Sequence, residues 1–146
     1  MGKFDKVSGK DDGAIKLSKQ EAFAAVSVAT IASDGNISQK EIQRTVTNLT
    51  AIRFFRGYDL KDLNNTLHKV AALLRQHGTA PVMKAVEEVL NKELLETAFF
   101  IAADLALADG LVKDEEELLE ELQQTLKIDK AMATKIMEIA IVKNRV

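Results

Sequence analysis

The chain has 146 residues, enough for one domain with a real core, and a formal net charge of −2, so no overall field calls for nucleic acid. It lacks cysteine, which excludes disulfides, thiolate metal sites and a cysteine nucleophile, and its single proline leaves helices uninterrupted. Tryptophan is absent and there are six phenylalanines, so Ala, Leu, Ile and Val must supply most of the core, a palette suited to packing helix on helix.

Residues 1–17 hold Gly2, Gly9 and Gly13 among many charges with little periodicity, and read as a mobile basic tail ahead of a helical domain over 18–146. Ser18-Lys19-Gln20-Glu21 has the spacing of a capping box, in which the Ser oxygen and the Glu carboxylate each satisfy a backbone N–H of the first turn. The helix it opens should run to about Ser33, and Ala22, Phe23, Val26, Ala29 and Ile31 make it apolar nearly all round, as befits the middle of a bundle. Gly35 is expected as a left-handed C′ residue. Ser38 to Glu41 repeats the capping box and starts a helix with Ile42, Val46, Leu49 and Ile52 on one stripe, ending near Arg56-Gly57.

A third helix begins at Asp59-Leu60-Lys61-Asp62, carries Leu63, Leu67, Val70, Ala71 and Leu74, and stops at Gly78. Thr79-Ala80-Pro81 fits a fourth start, because proline in the first turn has no amide to waste. A long apolar helix should follow from about Lys92 to Ala108. Asp114 is expected to cap the next, with Leu118, Leu119, Leu122 and Leu126, and Asp129 the last, with Met132, Ile136, Ile139 and Ala140 facing the core. No stretch alternates apolar and polar residues long enough for a strand, so the expected fold is all-α, a single domain of about seven helices with antiparallel neighbours. The longest charge-free apolar stretch, Ala22 to Ser33, is too short to span a bilayer, and the N-terminus has no signal-peptide core, so a cytoplasmic location is expected.

An acidic helix junction occurs twice. Ala32-Ser33-Asp34-Gly35 leads into Ser38 to Glu41, and Ala108-Asp109-Gly110 leads into Asp114 to Glu117. Glu21 matches Glu96, Asp34 matches Asp109 and Gly35 matches Gly110 at one offset. One extra residue in the second junction then pairs Ser38 with Asp114, Glu41 with Glu117, and Ile42 with Leu118. The expected meaning is two pseudo-symmetric helix-hairpin halves facing each other in the core. Each Asp stands where a helix ends, an unfavourable place for a carboxylate by about 0.3–1 kcal/mol. A cost repeated at matching places points to cation binding, with Asp34 and Glu41 in one junction and Asp109 with Glu116 or Glu117 in the other. Oxygen-only ligands suit calcium, magnesium or manganese better than zinc. The plainer alternative is that Asp-Gly is ordinary turn chemistry and Glu41 is accounted for by its cap.

Asp104 interrupts an apolar run and is expected to face solvent or pair with a lysine. His68 and His77, nine positions apart, fall on opposite helix faces and cannot share a metal. The acidic run Asp114 to Glu121 reads first as a solvated face complementing a helix N-terminus, and otherwise as a surface for a basic partner. No phosphate-binding glycine loop, Ser/His/Asp set or dinucleotide fingerprint is present in the sequence.

The two segments Ile31 to Glu41 and Leu107 to Glu117, with the opening Phe4-Asp5-Lys6-Val7, resemble the TerB family of bacterial tellurite-resistance proteins, and the resemblance spans residues from about 20 to 140. It implies an all-α fold of two similar halves, with Asp34, Glu41, Asp109 and Glu116 or Glu117 holding a divalent cation. It also implies a non-enzymatic role in resistance to tellurite or other chemical stress, with a protein partner such as a membrane protein of the same resistance system. The chain would then be peripheral to the inner membrane through that partner. Two other functions stay open: a metal-dependent hydrolase using the junction carboxylates, and a metal-free helical scaffold.

Overall fold

The computed structural model describes residues 14–32, 35–108 and 113–145. Among these it contains seven α-helices and no strand, in agreement with the all-α reading: α1 (Lys19–Ile31), α2 (Gln39–Thr50), α3 (Leu60–His77), α4 (Thr79–Val89), α5 (Lys92–Ala108), α6 (Lys113–Thr125) and α7 (Lys130–Lys143). Most of the proposed tail, residues 1–13, lies outside the described residues. Ile15 and Leu17 already pack against the core, so the packed chain begins ahead of Ser18.

Three helices start as the sequence requires. Ser18 and Glu21 close a reciprocal box on α1 at 3.0 and 2.8 Å, and Ser38 and Glu41 do so on α2 at 3.1 and 2.9 Å. Asp59 and Asp62 close a third on α3. Each pair satisfies two N–H groups that a helix start would leave without partners. Asn91 caps α5 and Asp129 caps α7. The cap expected at Asp114 is not in that position: α6 begins at Lys113, which puts Asp114 inside the first turn.

Helix α1 is the central element. Residues Ala22 through Thr30 are all buried, and the helix packs most extensively on α5, then on α3 and α4. Its small alanines allow this close approach from several sides. Thr30 spends its hydroxyl on the Val26 carbonyl at 2.8 Å, while the buried Ser27 Oγ has no hydrogen-bond partner among the described residues.

Helix α2 ends earlier than its stripe predicts, at Thr50 rather than near Arg56-Gly57. The chain tightens into a 3₁₀ turn, Arg53–Phe55, which turns Phe54 and Phe55 onto Phe23 of α1 with ring centroids 5.4 and 5.6 Å away. Tyr58 adds an edge contact to Phe55 at 5.5 Å. Burying aromatic rings gains more than another helical turn would, so tertiary packing decides the boundary. At the other end of the molecule α6 closes in a Schellman motif. Ile128 N–H reaches the Gln123 carbonyl and Lys127 N–H the Gln124 carbonyl, with Lys127 itself at φ 58°.

The two halves share a scheme. α1 pairs with α3 and α5 with α7 to the same degree, around the central α1–α5 contact. They differ at the second helix, since α2 packs on α3 whereas α6 stands off α7. The burial pattern also moves the repeat on by one residue. Leu119, Leu122 and Leu126 are buried as Ile42, Thr45 and Leu49 are, while Leu118 is half-buried. Leu119, not Leu118, is therefore the counterpart of Ile42, and neither Glu116 nor Glu117 occupies the place of Glu41. The larger reason is that α6 packs on α1 and α4 as well as on α5.

Candidate functional site

Asp34 and Asp109, the acids on which the cation reading centres, lie outside the described residues. Their neighbours can be placed. Glu41 is half-buried and its Oε1 accepts the Ser38 N–H, which leaves Oε2 as the oxygen a cation could take. Gly35 has φ +83°, three residues beyond the Ala32 C-cap, so it is not the C′ residue expected from the sequence. Its conformation serves a close approach instead. A Cβ there would overlap the Arg75 side chain and lie 2.7 Å from the Ala71 carbonyl oxygen. Arg75 Nη1 donates to the Gly35 carbonyl at 2.6 Å, fastening this junction to α3.

That bond bears on the metal. The Gly35 carbonyl is an oxygen a hard cation would want, and it already faces a guanidinium whose positive charge repels one. At the first junction, then, the described residues do not fit a cation well. At the second, Glu116 and Glu117 are exposed on the first turns of α6, available to a cation or to a basic partner. Among the described residues no three His, Asp or Glu side chains converge on one point.

The feature the sequence did not announce lies on the other side of α6. Because α6 stands off α7, a groove of about 480 Å³ opens between them, with Phe99 of α5 in its floor. Leu119, Ala133, Met137 and Ile141 supply its apolar walls, and Glu116, Glu120, Glu138 and Lys130 its polar rim. Helix α7 exposes Ile141 to 45 % at the groove wall, and Ile139 to 61 % and Val142 to 52 % outside it. Ile139 was expected in the core; only Ala133 and Ala140 of α7 are fully buried, so the helix touches the body along a narrow seam. A signal was present in the sequence. Met132, Ile136, Met137, Ile139, Ile141 and Val142 spread over more of the helix circumference than one contact face can cover.

Asp104 anchors the far end of that seam. It is 6 % exposed, Asn144 Nδ2 donates to its Oδ1 at 2.8 Å, and Lys143 Nζ stands at 3.1 Å, so the lysine-paired reading holds. Glu96, half-buried, matches Glu21 in sequence but not in role. Glu21 closes the α1 cap and meets Lys69 Nζ at 2.8 Å, whereas Glu96 Oε2 is buried without a hydrogen-bond partner among the described residues. Burial alone would raise the Glu21 pKa; the bonds from Lys69 and Ser18 outweigh it and hold the carboxyl below its usual value. His68 is exposed on α3 and His77 half-buried at its end.

No helix among the described residues is long and apolar enough to cross a membrane. Comparison with models of known protein families, with curated proteins and with solved structures finds no match to this chain.

Proposed function

We propose that this chain is a non-enzymatic, TerB-like interaction module that binds or senses a divalent cation and offers a helical surface to a protein partner. The setting implied by its sequence resemblance is resistance to tellurite or other chemical stress, beside a membrane protein of the same system. The observation that carries the reading is the apolar groove between α6 and α7, where Ile141, one of the four large hydrophobics exposed among the described residues, stands in the wall. Exposed apolar surface rimmed by polar residues marks sites of association rather than ordinary solvent-facing protein. The acidic start of α6 adjoins it, since Glu116 belongs both to the second junction and to the groove rim. A cation bound near Glu116 would change the charge of that surface, which links sensing to partner binding.

The test is a thermal-melt titration of chelator-stripped protein with calcium, magnesium, manganese and zinc. Wild type is compared with Asp109→Asn/Glu116→Gln and with Asp34→Asn/Glu41→Gln. A ligand that binds only the folded state stabilises by about 2.7 kcal/mol at a hundred times its dissociation constant. The expected result is a saturable shift with calcium, magnesium or manganese that the second-junction variant loses and the first-junction variant largely keeps. No shift with any of the four ions would remove the cation and leave a metal-free scaffold.

A further inference from the structure

The groove between α6 and α7 allows the partner to be described chemically, an inference that rests on the interaction reading above. Its lining is apolar: Phe99 and Leu119, 1 % and 3 % exposed, close the floor, while half-buried Met137 and exposed Ile141 form the accessible wall. Its rim is charged in one sense, three carboxylates (Glu116, Glu120 and Glu138) against the single ammonium of Lys130. Glu117, exposed next to Glu116 on the same helix, extends that acidic side. From Glu116 to Gln124 the α6 wall runs about 12 Å at the helical rise, a little over two turns. A groove of that length between two helices, and of about 480 Å³, takes more than one side chain. It suits the i, i+3/i+4, i+7 anchors that one face of a helix presents.

Charge selects among the occupants. A second copy of the chain would bring the same acidic helix against its own likeness, which repulsion disfavours. An anionic membrane surface would meet the three carboxylates with the wrong sign. A helix with an apolar stripe flanked by Lys or Arg satisfies both the wall and the rim. We propose that the groove holds such a basic amphipathic helix from a partner protein, its apolar anchors on Met137 and Ile141 and its cations against Glu116, Glu120 and Glu138.

Fluorescently labelled peptides of about 18 residues, five helical turns, test this on the full chain. One carries leucines on one face with lysines elsewhere, one the same leucines with glutamates, and one the lysine composition with its leucines scattered. Anisotropy titrations at about 0.15 M salt should show the amphipathic lysine peptide binding at least about tenfold more tightly than either control, and weakening as salt rises. Ile141→Lys should abolish that binding with helix content unchanged by circular dichroism. Glu116→Lys with Glu120→Lys should reverse the preference toward the glutamate peptide.

Equal binding of the lysine and glutamate peptides, equal binding of the scattered peptide, or wild-type binding by the groove variants would overturn the proposal. So would a concentration-dependent dimer in sedimentation that Ile141→Lys dissolves, which would give the groove to a second copy. Binding to phosphatidylglycerol vesicles that Ile141→Lys abolishes would give it to a membrane and overturn the proposal equally. A failure here, with the cation-dependent thermal shift intact, removes the helix partner and leaves the cation-responsive module; the absence of both removes the two together.

Discussion

The first half of the molecule, α1 to α3, is closed, and the second, α5 to α7, is open. Both are built from three helices around the α1–α5 contact, and in both the first helix pairs with the third. In the first half the gap beside the second helix is filled by Phe54 and Phe55 folding back onto Phe23, and the junction is tied down by Arg75. In the second half no aromatic turn follows α6. A short Schellman turn leads directly into α7, and the space between them is left as a groove. The difference teaches that the helical scheme alone does not complete a core. The connection after the second helix decides whether apolar surface is spent inside the domain or left for another molecule.

The sharpest way to break that comparison is to delete an aromatic ring on each side. Phe55→Ala removes a ring that is 2 % exposed and edge-packed on three others, and should cost about 3–5 kcal/mol in chemical denaturation. Phe99 is as buried, at 1 % exposed, but Phe99→Ala should cost less, about 2–3 kcal/mol, because water from the adjoining groove can enter the space the ring leaves instead of a sealed cavity remaining. Equal costs would mean that the groove is as closed as the aromatic cluster.

Next in size is the fastening of the first junction. Gly35→Ala combines a positive φ with overlap on Arg75 and Ala71, and should cost about 2–3 kcal/mol by the same measurement. A cost under about 0.5 kcal/mol would show that the junction is not held against α3.

The anchor of the open half is weaker. Asp104→Ala removes the acceptor of Asn144 and the partner of Lys143, and should cost about 1–2 kcal/mol, discounted because Lys143 is half-exposed. Its distinguishing effect is local: amide hydrogen exchange should accelerate over residues 141–145 while α1 stays protected. Uniform acceleration would contradict the view that α7 is attached along a separate seam.

The smallest effect is on the Glu21–Lys69 bridge, where Lys69→Met should cost about 0.5 kcal/mol at neutral pH. The folded pKa of Glu21 lies below its ordinary value of 4.5, so the bridge contributes above that value and its contribution is lost as pH falls through the folded pKa. Stability curves of wild type and variant should therefore converge in acid and separate above pH 4.5. Parallel curves would remove the electrostatic account of this pair.

Much of the fold was legible because it is local. The boxes Ser18/Glu21 and Ser38/Glu41, the start at Asp59 and the stop at Gly78 all follow from hydrogen bonds among residues three or four apart. Less of the site was legible. Arg75 lies 40 positions from Gly35, and no spacing rule connects them. The matching of Leu118 to Ile42 failed by one residue because sequence similarity aligned the acids, whereas burial aligns Leu119, Leu122 and Leu126 with the buried face of α2. Of the five acids singled out, Glu41 is engaged in its cap, Glu116 lines the groove rim and Glu117 is exposed beside it.

By itself the sequence determined the all-α class, the seven helices of the described residues, nearly every helix start and the duplication of an acidic junction. These depend on backbone capping and on the 3.6-residue period, which act within a single helix. Only the tertiary structure decided where α2 stops, why Gly35 must be glycine, and which apolar residues of α7 remain outside. Those outcomes depend on which surfaces meet across long sequence separations, and a side chain's burial is a property of that meeting rather than of its own segment.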